Sequence, residues 1–458
     1  MANLMTKLLA TALPVTALLL LATPAAAEPA RTATETRQTG AFGAIELSGP
    51  FDVTIDAQAP RGVRLTGPAA DLADVETITE RGTLIVRPRQ RNGWHFSFGK
   101  RNEPIRLVIG APQLHSLKNG GSGDVQLTRF QGERLVLAAT GPGDIHASGI
   151  VGELTLRVAG SGDVDLRQLR PATLRAELSG PGNVEAAGIT RELAVELTGS
   201  GDLDATDLRT DLVTATMRGP GDVKLHGRSK AIRATVQGSG DLEACALAVE
   251  VASAALSGPG NACVSGTIRQ MQAEVHGSGD LEARGLQTQR LRVTLSGPGN
   301  ATLAGSTGSL EANVSGSGDL DGQDLQVGRA VLHATGPGSI ELNRVSDSLE
   351  GELNGSGGLT TRLETRSAKL RMNGPAGVTL HGRTGALAAE LSGSGSLDGR
   401  ALQADQANVT ARGPGSATVN VRGKVETQSR QATATRQPGQ SRLVLVDRRG
   451  VHEDGVAD

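Results

Sequence analysis

The segment Gly121-Ser122-Gly123-Asp124 is the first of sixteen related turns, the last being Gly413-Pro414-Gly415-Ser416. Successive first glycines stand 19 or 20 residues apart, and the middle residue alternates Ser and Pro without a break, as in Gly141-Pro142-Gly143, Gly160-Ser161-Gly162 and Gly180-Pro181-Gly182. A period this short and this regular overrides the two or three domains that 458 residues would otherwise suggest. Repeats of this kind build one elongated unit, because each can bury its apolar face only against its neighbours.

The residues between turns have period two. Before the first glycine, positions −6, −4 and −2 are apolar: Leu154, Leu156, Val158; Leu193, Val195, Leu197; Leu291, Val293, Leu295. The residues between them, such as Thr155, Arg157, Arg292 and Thr294, are polar. After the turn, positions +4 and +6 are apolar (Val164 and Leu166, Val223 and Leu225), and +5 is polar (Asp165, Lys224). This is the pattern of half-buried strands. Each repeat therefore reads as strand, sharp turn, short strand and looser corner.

In the turn, Pro at the second position presets φ, and Gly at the third supplies the positive φ that a type II turn requires. The first Gly allows coils to approach closely, and Asp or Asn caps local backbone donors. Strands that all run one way cannot form hairpins, so coils must stack in parallel. The fold class is all-β: a single-stranded right-handed parallel β-helix (β-solenoid) of about 19.5 residues per coil. From Gly199 on, Ser coils pair a small residue at +6 with Leu at +9 (Ala205 with Leu208, Ala283 with Leu286). Pro coils reverse this (Leu225 with Arg228, Leu303 with Ser306), so large and small side chains alternate up the stack.

Composition agrees. Gly numbers 62, while there are five Phe, one Trp and no Tyr, which argues against a globule with a bulky core. Lys+Arg (46) balances Asp+Glu (48), leaving no electrostatic case for nucleic acid. Residues 1–27 read as a signal peptide: Lys7, an apolar run from Leu8 to Leu21, and small residues Ala25-Ala26-Ala27 ahead of Glu28. The expected location is therefore periplasmic, cell-surface or secreted, with no transmembrane segment in the mature chain. Residues 28–40 read as a polar linker, 41–120 as N-terminal coils, 121–424 as the regular array and 425–458 as a polar tail. Within the tail, strand 442–446 could cap the open end, an edge otherwise free to pair with other chains.

The strings Phe42–Val53 (FGAIELSGPFDV), Gly82–Val86 (GTLIV) and Ile105–Leu114 (IRLVIGAPQL), leading into Gly121–Val125, resemble the bacterial "putative auto-transporter adhesin, head GIN" domain family over roughly 41–420. The resemblance implies an exported or surface-exposed right-handed β-helix present as two domains or an extended array. It supplies no catalytic residues, and no series of barrel strands with aromatic girdles follows.

Two sites stand out. The first is the basic and aromatic segment 87–104, the one break in composition, whose Arg91, Trp94, Phe96, Phe98, Lys100 and Arg101 suit a polysaccharide or anionic envelope polymer. Its plainer reading is an end cap over the first coil. The second is the acidic column Asp124, Asp144, Asp163, Asp202, Asp222 and Asp241, with Asn183 interspersed. It reads as turn capping or, alternatively, as a Ca²⁺ ladder. No cofactor is expected. The functional expectation is a non-enzymatic envelope-associated or adhesive scaffold facing envelope polysaccharide or a neighbouring cell surface; a polysaccharide lyase or hydrolase is the alternative. Cys245 and Cys263 fall on neighbouring coils, offset by two positions on a diagonal of roughly 7–8 Å. That leaves both a bridge and two free thiols open, and their spacing is not a zinc pattern.

Overall fold

The computed structural model describes residues 32–89, 105–422, 425–427, 433–437 and 440–446. It is a right-handed parallel β-solenoid of about 15 turns with roughly 20 residues per turn. Between one Gly-x-Gly turn and the next, most coils form a single strand of 14 or 15 residues, such as Val125–Ala139, Ile145–Val158 and Leu203–Met217. Each pairs in parallel with the coils before and after it: Ile145 faces Val125 on one side and Val164 on the other. The inward residues form one continuous core in which Leu154, Leu156, Val158, Val223 and Leu225 are all buried.

The glycines of the repeat serve stacking. No second glycine of the array adopts positive φ, and among the first glycines only Gly413 does. The type II geometry expected from the sequence is therefore not formed. Instead, a Cβ on Gly141 or Gly219 would run into the carbonyl oxygen of Gly121 or Gly199 one coil below, and a Cβ on Gly143 or Gly221 into that of Gly123 or Gly201. The second-glycine amide donates across the same gap, Gly143 N–H to Gly121 O at 3.1 Å and Gly201 N–H to Gly180 O at 3.1 Å. A side chain at either position would break this approach.

Positive φ occurs eight residues further on. In Pro coils Gly149, Gly188, Gly227, Gly266, Gly305 and Gly382 have φ between 71° and 142°, and the same position is left-handed in three Ser coils, at Arg129 (φ 56°), Asp207 (φ 53°) and Gly285 (φ 73°). Up to Gly355 the Pro coils are 19 residues long and the Ser coils 20, and the extra residue is absorbed here. The pairing register slips between Ala205 and Leu208, and again between Lys224 and His226. The two 19-residue coils beginning at Gly355 and Gly374 pair without a slip. The slip also revises the packing expected at +9. Leu208, Leu247 and Leu286 of the Ser coils are buried, but Arg228, Thr267 and Ser306 of the Pro coils face outward, and the following Ser229, Ile268 and Thr307 turn in.

The N-terminal region is more than a run of coils. Strands β1 (Thr32–Arg37), β2 (Ala44–Leu47), β3 (Asp52–Asp56) and β4 (Gly62–Pro68) are followed by helix α1 (Ala69–Leu72). Strands β5 (Val75–Glu80), β6 (Thr83–Pro88) and β7 (Arg106–Gly110) come next. β2 and β3 form a coil on which β6 and β7 stack in parallel as the outermost one, whereas β1 pairs antiparallel with β4, β4 with β7, and β5 with β6. The β5–β6 hairpin turns through Arg81 (φ 48°) and Gly82 (φ 78°), the two-residue left-handed loop that matches strand twist. Residues 28–40, read as linker, thus include a paired strand. Its Arg37 donates to Leu72 O (2.7 Å) and Thr77 Oγ1 (3.0 Å), tying β1 to α1 and β5. At the other end, strand Gln440–Val446 pairs antiparallel with Ser416–Val421, in line with a strand laid on the open edge. Residues 1–27 lie outside the described residues.

Candidate functional site

The acidic column is a ladder of side chain to backbone bonds. Asp124 Oδ1 accepts the amide of Asp144, Asp144 Oδ1 that of Asp163, and Asp163 Oδ1 that of Asn183. The same contact continues through Asp202, Asp222, Asp241, Asn261, Asp280, Asn300 and Asp319 to the amide of Ser339, eleven bonds of 2.7–3.1 Å. The next step, Gly358 N–H to Ser339 Oγ, lengthens to 3.3 Å, where the acidic residue has gone from the repeat. At Asn183, Asn261 and Asn300 the side-chain amide also donates to the carboxylate below (3.0–3.1 Å), which interrupts the run of like charges. One oxygen of each rung is thus committed to the next coil. This is the capping role extended from one turn to a column.

The outward faces carry ion pairs between adjacent coils. Examples are Arg157–Glu177 (2.9 Å), Lys230–Asp211 (2.6 Å), Arg292–Glu311 (3.0 Å) and Arg344–Glu364 (3.2 Å). Side chains this exposed contribute little stability each. Two carboxylates are held more firmly: the guanidinium of Arg167 brings Asp165 down to about 2, and Arg400 does the same for Asp398.

Arg91, Trp94, Phe96, Phe98, Lys100 and Arg101 lie outside the described residues, but the roots of their segment are defined. The chain leaves β6, beside which Arg89 N–H donates to Asp74 O (2.7 Å) and Arg87 Nε to Glu76 Oε2 (2.7 Å). It returns at Ile105, just before β7. Both roots lie on the outermost coil, β6 and β7 each pairing in parallel with the coil strands β2 and β3 and antiparallel with β5 and β4.

The cysteines are brought together. Cys245 and Cys263 form a disulfide with Cα atoms 5.2 Å apart, closer than the diagonal expected from strand register. The reason is local: pairing slips between Ala244 and Ala248, drawing Cys245 toward the coil that carries Cys263. Glu282, on the next coil, completes the one group of three metal-ligating side chains among the described residues. Sequence spacing hid this group, because its members are 18 and 19 residues apart and meet only through stacking.

Among the described residues no helix is long and apolar enough to cross a membrane. The sequence model of the family described as "Putative auto-transporter adhesin, head GIN domain" matches this chain at residues 41–153, 150–246, 227–303, 286–362 and 346–439. No curated protein matches. Solved structures similar to it include a "putative lipid binding protein" from Parabacteroides distasonis, with 18% identity and TM-score 0.33, covering 63% of this chain and 96% of that one. A "putative adhesin" from the same species has 15% identity and TM-score 0.33, covering 66% and 97%. Another, from Bacteroides fragilis, has 15% identity and TM-score 0.21, covering 66% and 97%.

Proposed function

The chain belongs to this adhesin-head family, and from that premise we propose that it is an exported, non-enzymatic scaffold that binds envelope polysaccharide or a neighbouring cell surface through its outer faces and the 87–104 segment. The observation that carries this reading is the ladder: the carboxylate that recurs in the turns is engaged with backbone, coil after coil. The interior is filled by buried Leu, Val and Ala, so recognition falls to outward positions. The N-terminal cap supports a binding role for the 87–104 segment. β1, β4, α1 and the β5–β6 hairpin already extend the stack beyond the first coil, with Leu65, Leu72 and Val75 buried among them. The aromatic and cationic residue types of that segment match a glycan or anionic polymer.

The test is binding of the purified protein to intact cells and to a glycan array, with and without residues 90–104. Binding without turnover that depends on the segment supports the proposal. Cleavage of a glycan that depends on one acidic residue would establish the lyase or hydrolase reading instead.

A further inference from the structure

Cys245, Cys263 and Glu282 project from three successive coils onto one partly exposed outer face, with one ligand atom of each within 4.8 Å of the others. Cys263 Sγ lies 3.6 Å from Glu282 Oε2. A tetrahedral ion with metal–sulfur bonds of about 2.3 Å and metal–oxygen bonds of about 2.0–2.2 Å holds its sulfur and oxygen ligands about 3.5–3.7 Å apart. The separation of Cys263 Sγ and Glu282 Oε2 in the disulfide form therefore already suits two ligands of one ion, and opening the bridge lets Cys245 Sγ move to the spacing of a third. The carboxylate is also oriented: Arg284 Nε and Nη2 both engage Glu282 Oε1, leaving Oε2 toward the sulfur. A ligand oxygen held from behind by a hydrogen-bonding partner is the arrangement that tunes metal sites.

We propose that the reduced protein binds one thiophilic divalent cation of the Zn²⁺ class through Cys245 Sγ, Cys263 Sγ and Glu282 Oε2, leaving a fourth position open to water. Thiolates select such cations over Ca²⁺ or Mg²⁺. The disulfide and the ion exclude each other, since the same two sulfurs serve both. An external thiol reductant opens the bridge: two thiols are oxidised to one disulfide, and each cysteine sulfur gains an electron and a proton. Binding of the cation then releases the two thiol protons.

The experiment uses the full chain, reduced with a phosphine and kept anaerobic, titrated with Co²⁺ and then Zn²⁺. The expected result is one equivalent of Co²⁺ with a sulfur-to-metal charge-transfer band that Zn²⁺ abolishes. The oxidised protein and the Cys245→Ser/Cys263→Ser variant should give no band. Glu282→Ala, a change on the partly exposed outer face that leaves the core intact, should weaken binding at least tenfold, and Arg284→Gln about tenfold. The proposal is overturned if the reduced wild type binds no better than the double serine variant, if oxidised protein binds equally well, or if Glu282→Ala leaves affinity unchanged.

Discussion

At the scale of the residue, glycine and aspartate divide the work of the repeat. Gly221→Ala would drive a methyl into the Gly201 carbonyl and should cost about 1–3 kcal/mol or more. Gly377→Ala meets nothing within 4 Å and should be neutral or slightly stabilising; urea unfolding of the two variants measures the difference. Tolerance should rise toward the C-terminal end, where a Cβ on Gly395 or Gly415 would stand 2.6 Å from the facing carbonyl oxygen. The array itself carries Ala376 there in place of a second glycine. Asp222→Ala removes the acceptor for the Asp241 amide and should cost about 1–2 kcal/mol, whereas Asp222→Asn keeps an oxygen in place and should cost far less. Asp165 and Asp398 titrate near 2 when folded and near 3.9 when unfolded. Their contribution is therefore complete above about pH 4 and lost as pH falls from 4 to 2. Acid unfolding of Asp165→Asn should be correspondingly less steep over that window, by a modest amount because Arg167 is 60% exposed.

At the scale of the element, strand positions and core were legible because period two and the spacing of turns report burial directly. What escaped the sequence reading depends on contacts between coils. The positive φ at Gly149, Gly227 and Gly305 belongs to the looser corner of each coil; the glycine at +8 of the Pro coils was its visible trace. The second glycine of the turn looked like a φ requirement because Pro-Gly serves that purpose in isolated turns, but a stacked turn asks first for room. The disulfide was ambiguous for the same reason, since a register slip moved Cys245 closer to Cys263 than ideal strands allow. The bridge closes a loop of 18 residues, and replacing both cysteines with serine should lower stability by about 2–4 kcal/mol, read from the urea midpoint under oxidising conditions.

At the scale of the whole molecule, about 15 turns stacked at about 4.8 Å make a rod of about 70 Å. Small-angle scattering should return that length with a constant cross-section. The rod was legible from the constant spacing of sixteen repeats; its N-terminal antiparallel cap was not, because Thr32–Arg37 has the composition of a linker and is held by its partner β4 and by Arg37. The acidic motif is a corner of the rod, and the proposed recognition uses other parts of its surface. The most direct measurement is cell binding by a variant in which Asp202, Asp222 and Asp241 are all replaced by Asn, with its thermal melt recorded with and without a calcium chelator. Wild-type binding, a melting temperature within a few degrees of wild type and no effect of the chelator are expected. A variant that folds but no longer binds, or a wild-type melt that collapses with chelator, would contradict this assignment.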